Sequence, residues 1–453
     1  MPWLTAAEAL QVLHVRPQTL YANVSRRKIR ARPDPKDTRR SLYHEVDVRK
    51  LARKQGGRRK ATTVAAGAIE WGDPVLSSSI STVADGRLYY RGKDAVGLAD
   101  AATLEEVAAL LWGAEAVDFE RPWRDESAAL VAGTNGQRAG RAAAVGSRSV
   151  RGASGQSVDT SLRRAFYALG QRASADLSSY GRAPPVLQAE AAGVLVTLAS
   201  ALLAPERASG GGGRRSCASG CAPPSPPLCR ARSSERIREG GSAAVRRDYP
   251  LHERVADAFG RRSAADILRR VLVLMADHEL NASTFATRVA VSTGAPLSAG
   301  VLSGLATLSG PLHGRAALGV LELLASVERL GADVAVREWL SQGRPIVGFG
   351  HPLYPAGDPR AAALLPQLTL PRMYAELSEV AEDMIGERPN IDFALAALTK
   401  VHRLPSEAPL VLFALGRCAG WLAHALEQVT TGHPIRPRAR YVGPPVSSAS
   451  VSG

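Results

Sequence analysis

At 453 residues, with 45% hydrophobic but only 5% aromatic side chains, the chain is too long for one simple core, and two or three domains are expected. Its formal charge of +15 is uneven: residues 1–60 carry +11 and residues 207–247 carry +7, leaving −3 elsewhere. That distribution excludes a uniformly basic protein and confines any contact with polyanions to two segments. The start of the chain lacks a charged-then-apolar signal pattern. The best apolar run, Ala191 to Ala204, is too short for a bilayer and is broken by Thr197 and Ser200, so a cytoplasmic protein is expected.

Thr5-Ala6-Ala7-Glu8 fits a capping box and opens a helix through Leu13. After a turn at His14 to Pro17, Pro17 can open a second helix, Gln18 to Ser25. The basic Arg26-Arg27-Lys28 follows, then a short basic hairpin around a turn at Asp34 to Asp37, and a closing helix from Glu45 through Gln55. Over residues 3–55 this pattern resembles the small winged helix-turn-helix domains of the excisionase and MerR-like families, chiefly in Thr19-Leu20-Tyr21 followed by the basic turn. The resemblance implies DNA as a partner. Gln18, Thr19, Tyr21 and Asn23 would face the groove, with Arg26, Arg27, Lys28, Arg39 and Arg40 on the backbone. The plainer alternative is a solvated basic unit that touches only a second copy of the chain.

Beyond a basic linker at Arg58-Arg59-Lys60 and the segment Ile69-Glu70-Trp71, Asp85-Gly86 between β-formers predicts a hairpin. Thr103 to Ala108 starts a helix that ends near Gly113, and helical patterning resumes over Leu162–Ala175 and Val186–Leu203. No phosphate loop, dinucleotide fingerprint or nucleophile elbow occurs, which argues against a kinase, a dehydrogenase or a serine hydrolase. Residues 207–248 are rich in Gly, Pro, Ser and Arg without apolar period and read as a disordered insertion. Cys217, Cys221 and Cys229 lie there at spacings that fit no zinc pattern, so no metal is expected, and Cys418 falls in an apolar helix as a core residue.

The chemistry gathers in the C-terminal half. Asp277-His278-Glu279-Leu280-Asn281-Ala282-Ser283-Thr284 is a costly polar set between apolar stretches that read as buried helix. Gly310-Pro311-Leu312-His313-Gly314 places a second His ahead of an amphipathic helix carrying Ala317, Val320, Leu321, Leu324 and Val327. There a neutral imidazole is favoured, either able to donate to a polarising oxygen or, as the plainer alternative, a satisfied core His at a turn. Val347-Gly348-Phe349-Gly350-His351 lets backbone approach a ligand, and Arg360 can grip a carboxylate. Asn390-Ile391-Asp392-Phe393 sets an Asp before an apolar helix, as a reactive carboxylate or as a plain N-cap. Arg417 interrupts the apolar helix Leu410–Leu426 and wants an anionic partner. Two His, an Asp and several Arg suit proton abstraction beside a carbonyl, with the Arg residues holding a polycarboxylate.

Taken in order, Asp277-His278-Glu279, Gly310 to Gly314, Gly348 to His351, Asp358-Pro359-Arg360 and Asn390 to Phe393 resemble the citrate synthase family. Asp85 to Gly92, and Arg436-Pro437-Arg438 with Tyr441, match as well, so the likeness spans about residues 65–206 and 249–443. It implies a predominantly all-α fold in which residues 61–443 form a large domain (about 61–300 and 395–443) and a small domain (about 301–394). The basic unit at residues 1–60 would precede them and a tail at 444–453 would follow. It also implies a homodimer with shared sites, oxaloacetate and an acyl-CoA thioester as substrates, and no cofactor. Asp392 would remove the thioester's α-proton, His313 would stabilise the enolate and His351 would polarise the oxaloacetate carbonyl. His278, Arg360 and Arg417 would bind carboxylates, Arg436 would reach in from the second subunit, and Val347 to Gly350 would contact CoA. Acetyl-CoA would give citrate; propionyl-CoA giving 2-methylcitrate, or a metabolite-sensing regulator with little turnover, are the alternatives. Two departures stand out: Arg315 where the family usually has Gly, and Pro352 where Arg is common after His351.

Overall fold

The computed structural model describes residues 3–13, 15, 17–25, 28–35, 40–55, 76–126, 160–205, 250–439 and 442–444. The expectations for Ile69 to Trp71, for residues 207–248 with their three cysteines, and for Tyr441 lie outside these.

Near the start, α1 (Ala6–Leu13), α2 (Pro17–Ser25) and α3 (Glu45–Gln55) accompany a three-stranded antiparallel sheet. Its strands β1 (Trp3–Leu4), β2 (Ala31–Pro33) and β3 (Ser41–His44) run in the order β1-β3-β2. The capping box forms: Thr5 N donates to the Glu8 carboxylate at 2.8 Å, and Glu8 N donates to Thr5 Oγ1 at 3.3 Å. Ala9, Leu13, Leu20, Ile29, Tyr43 and Val48 make a small core of their own, separate from the main one.

The rest is predominantly helical, as the sequence predicts. After a hairpin of β4 (Ser81–Ala84) and β5 (Arg87–Tyr90), edged by β6 (Lys93–Asp94), come α4 (Ala95–Ala101) and α5 (Leu104–Trp112). Gly113 ends α5 at φ 67°, the left-handed stop its position in the sequence suggests. There follow α6 (Thr160–Ala175), α7 (Pro184–Leu203), α8 (Leu251–Ala258), α9 (Ala265–Leu274), α10 (Ala282–Val291) and α11 (Leu297–Leu308). Then come α12 (Ala316–Leu330), α13 (Ala332–Ser341), α14 (Pro359–Leu364), α15 (Arg372–Ile385), α16 (Ile391–Val401) and α17 (Ala408–Thr431).

Helix α17 is the axis of the main core, packing on α5, α7, α9, α10, α11 and α16. It is buried along nearly its whole length, Cys418 included. Helices α10 and α11 approach closely because Gly300 and Gly304 lie one turn apart. A Cβ on Gly304 would stand 2.5 Å from Thr287 Oγ1 and 3.0 Å from the Trp421 ring. Helices α12, α13, α15 and α16 pack among themselves as a second group.

The polar stretch lies in a break between two helices: α9 stops at Leu274, α10 restarts at Ala282, and Glu279 between them has φ 51°. Tyr90 sets that break, its hydroxyl meeting the carbonyls of Val273, Leu274 and Asp277 at 3.1–3.2 Å. The apolar run judged too short is part of α7, which at 20 residues is long and apolar enough to cross a bilayer, as is α17. Within α17's apolar window, 94% is buried inside the protein, as a core helix requires.

Candidate active site

Four loops carry the site, and side chains distant in sequence fix each. In the α9–α10 connection, Asp277 is fully buried and its Oδ2 accepts from Ser81 Oγ and from His424 Nε2 at 3.2 Å. Glu279 Oε1 accepts from Val83 N at 2.7 Å, tying the loop to β4. Between them His278 is buried, with its Nε2 2.9 Å from the Tyr354 hydroxyl. Its ring lies edge-on to that of His351, centroids 4.9 Å apart, and Tyr354 closes the trio at 5.5 and 5.0 Å. Burial, reinforced by Arg360, His351, Arg417 and His313, holds the His278 imidazole well below its ordinary range, so it is neutral.

His313 sits in the turn before α12. Its Nε2 lies 2.9 Å from Ser283 Oγ, a hydroxyl that accepts from Trp421 Nε1 at 3.1 Å and donates to Asn281 Oδ1 at 2.7 Å. The ring rests edge-on against Phe413 at 5.7 Å. Its pKa is pushed down to about 4 by burial first and Arg417 second, so the neutral form anticipated from the helix start arises chiefly from desolvation. Arg315, the unusual neighbour, occupies the N-cap position of α12 without a side-chain cap, and its Nε is sealed from solvent without a partner among the described residues.

Gly348 and Gly350 have φ 87° and 69°. The backbone here pairs with residues 388–390 across a single bridge, Phe349 opposite Pro389: Asn390 N donates to Gly348 O at 2.8 Å, and Gly350 N to Arg388 O at 2.9 Å. The glycines also serve packing, since a Cβ on Gly350 would lie 2.4 Å from the Glu387 carboxylate and one on Gly348 2.6 Å from Val320. Val347 is partly buried over Gly319, and Phe349 is buried against Phe393 at 5.1 Å. His351 Nδ1 accepts from Leu353 N at 3.2 Å, which leaves Nε2 to carry the ring proton.

The same region sets the carboxylates and arginines. Asp358 caps α14 and grips Arg360 through Nε at 3.0 Å and Nη2 at 2.8 Å, while its Oδ2 also accepts from Ile391 N at 3.1 Å. One residue farther, Asp392 is not the helix cap. Asn390 caps α16, accepting from Asp392 N at 3.0 Å and Phe393 N at 3.4 Å. Asp392 Oδ1 is therefore buried with no hydrogen-bond partner among the described residues. Burial raises its pKa to about 6 against the pull of Arg360. Arg417 is buried, donates Nε to Met275 O at 3.0 Å, and makes no other hydrogen bond among the described residues. Desolvation, with Asp277 opposing, brings it down to about 10.

His278 feels Arg360, His351, Arg417 and His313, and Asp392 joins the same set through Arg360. Arg436 stands apart, exposed and without an ion pair among the described residues. The sequence gives no separate signal for Tyr354 or Trp421, and Ser283 stands there only within the polar set from Asp277 to Thr284. Asn281 two residues before Ser283 is an N-cap spacing that could have flagged the Ser, and Trp421 lies one turn beyond Arg417.

In the N-terminal unit Tyr21 is partly buried and donates to Met384 O at 3.4 Å, so this predicted groove residue faces α15. Asn23 Nδ2 donates to Thr19 O at 2.8 Å within α2. Thr19, Lys28 and Arg40 are exposed. The Gln18 side chain and Arg26, Arg27 and Arg39 lie outside the described residues.

Fold and site together define a class: a predominantly helical protein with a buried cationic centre, the neutral imidazoles of His278 and His313, and an Asp392 carboxylate whose Oδ1 has no partner among the described residues. Residues 69–438 match the family model described as citrate synthase, C-terminal domain. The chain belongs to the citrate synthase family. It is 36% identical over 225 residues to "Citrate synthase 2" of Bacillus subtilis, covering 46% of this chain and 60% of that protein. The chain spans about half to three fifths of the length of the curated relatives it matches. Among solved structures it is similar to citrate synthase from Thermotoga maritima (26% identity, TM-score 0.57, 82% of this chain and 94% of that one). A ternary complex of carboxymethyl coenzyme A and oxaloacetate with citrate synthase from Thermoplasma acidophilum shares the fold at 21% identity and TM-score 0.56, over 82% and 95% of the two chains.

Proposed function

We propose that the chain condenses acetyl-CoA with oxaloacetate and water to give citrate and free CoA. The observation that carries this reading is the Asp392 carboxylate: on a partly buried residue, with Oδ1 sealed from solvent and unbonded among the described residues and a pKa raised to about 6, it is a base strengthened by desolvation and still ionised at neutral pH. Asp392 takes the proton from the thioester's α-carbon. His313 stabilises the enolate oxygen from Nδ1 when the Ser283 hydroxyl turns its hydrogen to Nε2. That hydrogen otherwise goes to Asn281 Oδ1 at 2.7 Å, an acceptor that also takes two backbone N–H groups at 3.1 Å, so the hydroxyl must turn away from Asn281 for Nδ1 to donate. The carbanion attacks the oxaloacetate carbonyl, polarised by His351 Nε2–H. Water then cleaves the citryl thioester, and CoA leaves as the thiol. His278, Arg360 and Arg417 hold the carboxylates, Arg436 reaches in from a second copy, and CoA runs along Val347 to Gly350.

In this reading the helices of residues 301–394 close on those of 61–300 and 395–443, and residues 1–60 form a winged helix-turn-helix unit on a homodimer. Thiol release that requires oxaloacetate and disappears in Asp392→Ala tests it; undiminished turnover in that variant would overturn it. Propionyl-CoA in place of acetyl-CoA is decided by comparing kcat/KM for the two thioesters. The basic N-terminal unit favours a second reading, a DNA-binding regulator that senses these metabolites with negligible turnover.

A further inference from the structure

Behind His278 and Arg417 lies a buried polar chain through Arg288, His424 and Asp277. Arg288 is 1% exposed. Its Nη1 lies 3.1 Å from His424 Nδ1 and 2.6 Å from Glu427 Oε2, and its Nε donates to Gln428 Oε1 at 2.9 Å. A guanidinium only donates, so His424 Nδ1 must present its lone pair and the ring proton sits on Nε2. Nε2–H then donates to Asp277 Oδ2 at 3.2 Å. Glu427 is anchored in turn by Ser79 N at 2.7 Å, and Ser81 supplies the other hydrogen bond to Asp277.

Asp277 cannot back away from this contact. Gly420, on the same face of α17 as Arg417 and His424, would place a Cβ 2.3 Å from Asp277 Oδ1 and from Ala276 O. Only a hydrogen at that position lets the carboxylate lie against the helix. Asp277 is therefore pinned between Ser81, His424 and Gly420, and the next residue in the chain is His278.

We propose that His424, held in its Nε2–H tautomer by Arg288, is a positioning residue that orients Asp277 and through it the carboxylate grip of His278 and Arg417. This rests on the condensation reading for its substrate, but the tautomer does not. Ring-nitrogen NMR of the full chain is expected to show His424 protonated on Nε2 alone; protonation on Nδ1 would overturn the relay whatever the chain catalyses. In calorimetric titration with oxaloacetate, His424→Leu is expected to weaken binding about tenfold or more, because a charge-assisted hydrogen bond to a buried carboxylate is lost. His424→Gln keeps a donor and an acceptor and is expected to restore most of that affinity. In turnover the KM for oxaloacetate should rise in the Leu variant, with the thioester KM unchanged. Equal losses in both variants, with an unchanged melting curve for Gln, or a loss confined to kcat, would overturn the proposal. Absence of thiol release in the unaltered chain would instead sink the condensation reading and leave the NMR result standing.

Discussion

Asp392 and His313 are pushed in opposite directions by the same cause. Burial penalises the charged form of each, so the carboxylate rises to about 6 and the imidazole falls to about 4. For catalysis the base must be ionised, so kcat/KM is expected to climb about tenfold per pH unit up to pH about 6 and level above it. A flat profile from pH 5 to 8 would contradict that assignment. The same shift has a sign for stability. The folded pKa of Asp392 exceeds its unfolded value, so its contribution is fully present below pH about 4 and is lost as pH rises through about 6. Asp392→Asn should therefore be more stable than the unaltered chain at pH 7 by about 1–3 kcal/mol, and no more stable at pH 4. Urea unfolding at the two pH values measures it. His313 works the other way, with stability present above its unfolded pKa and lost as pH falls toward about 4, so the Asp392 comparison needs the variant pair at each pH.

At the scale of elements, the contact between α17 and the α9–α10 connection is the tightest joint near the site. Gly416 has Leu272 O and Met275 Cβ 2.8 Å from where its own Cβ would stand, and Gly420 meets Asp277 more closely still. Gly420→Ala is expected to cost about 1–3 kcal/mol by overpacking, despite the better helix propensity of Ala, and to shift the Asp277 side chain. Denaturant melts check the first, and oxaloacetate affinity the second. What was legible in sequence divides along the same line. Helices α1 and α3 fall where the sequence places them, because a capping box and local apolar spacing decide both. The break at Asp277 was not legible, because Tyr90 and Ser81 make it from nearly 200 residues away. Tyr354 and Trp421 were likewise invisible as site residues: each matters only through a partner, His278 or Ser283, that the fold brings to it. For Asp392 the sequence leaves a reactive carboxylate and a plain N-cap open, and Asn390 taking the cap removes the second.

Across the whole molecule, charge and site are segregated: the first 60 residues carry +11 of the net +15, while the polar centre lies in the near-neutral remainder. If the N-terminal unit binds duplex DNA, counterion release makes the affinity fall steeply with salt, with a slope of about 0.9 per phosphate neutralised. Replacing Lys28 and Arg40 together by Ala should lower that slope by about 2 without changing sequence preference, since exposed basic groups of this kind position rather than read. Tyr21 links the two parts, because its hydroxyl is bonded to the Met384 carbonyl near the end of α15. A groove residue engaged in this way cannot also reach a base edge, so binding DNA through Tyr21 would require α2 to leave α15. Oxaloacetate that changes how α15 sits should then change DNA affinity, and by linkage DNA must change oxaloacetate affinity by the same factor. Fluorescence anisotropy of a labelled duplex with and without oxaloacetate, paired with calorimetry of oxaloacetate with and without the duplex, tests both sides. Matching factors that vanish in Tyr21→Phe would establish the coupling through this bond; two independent affinities would leave the DNA-binding unit and the condensing site as separate functions on one chain.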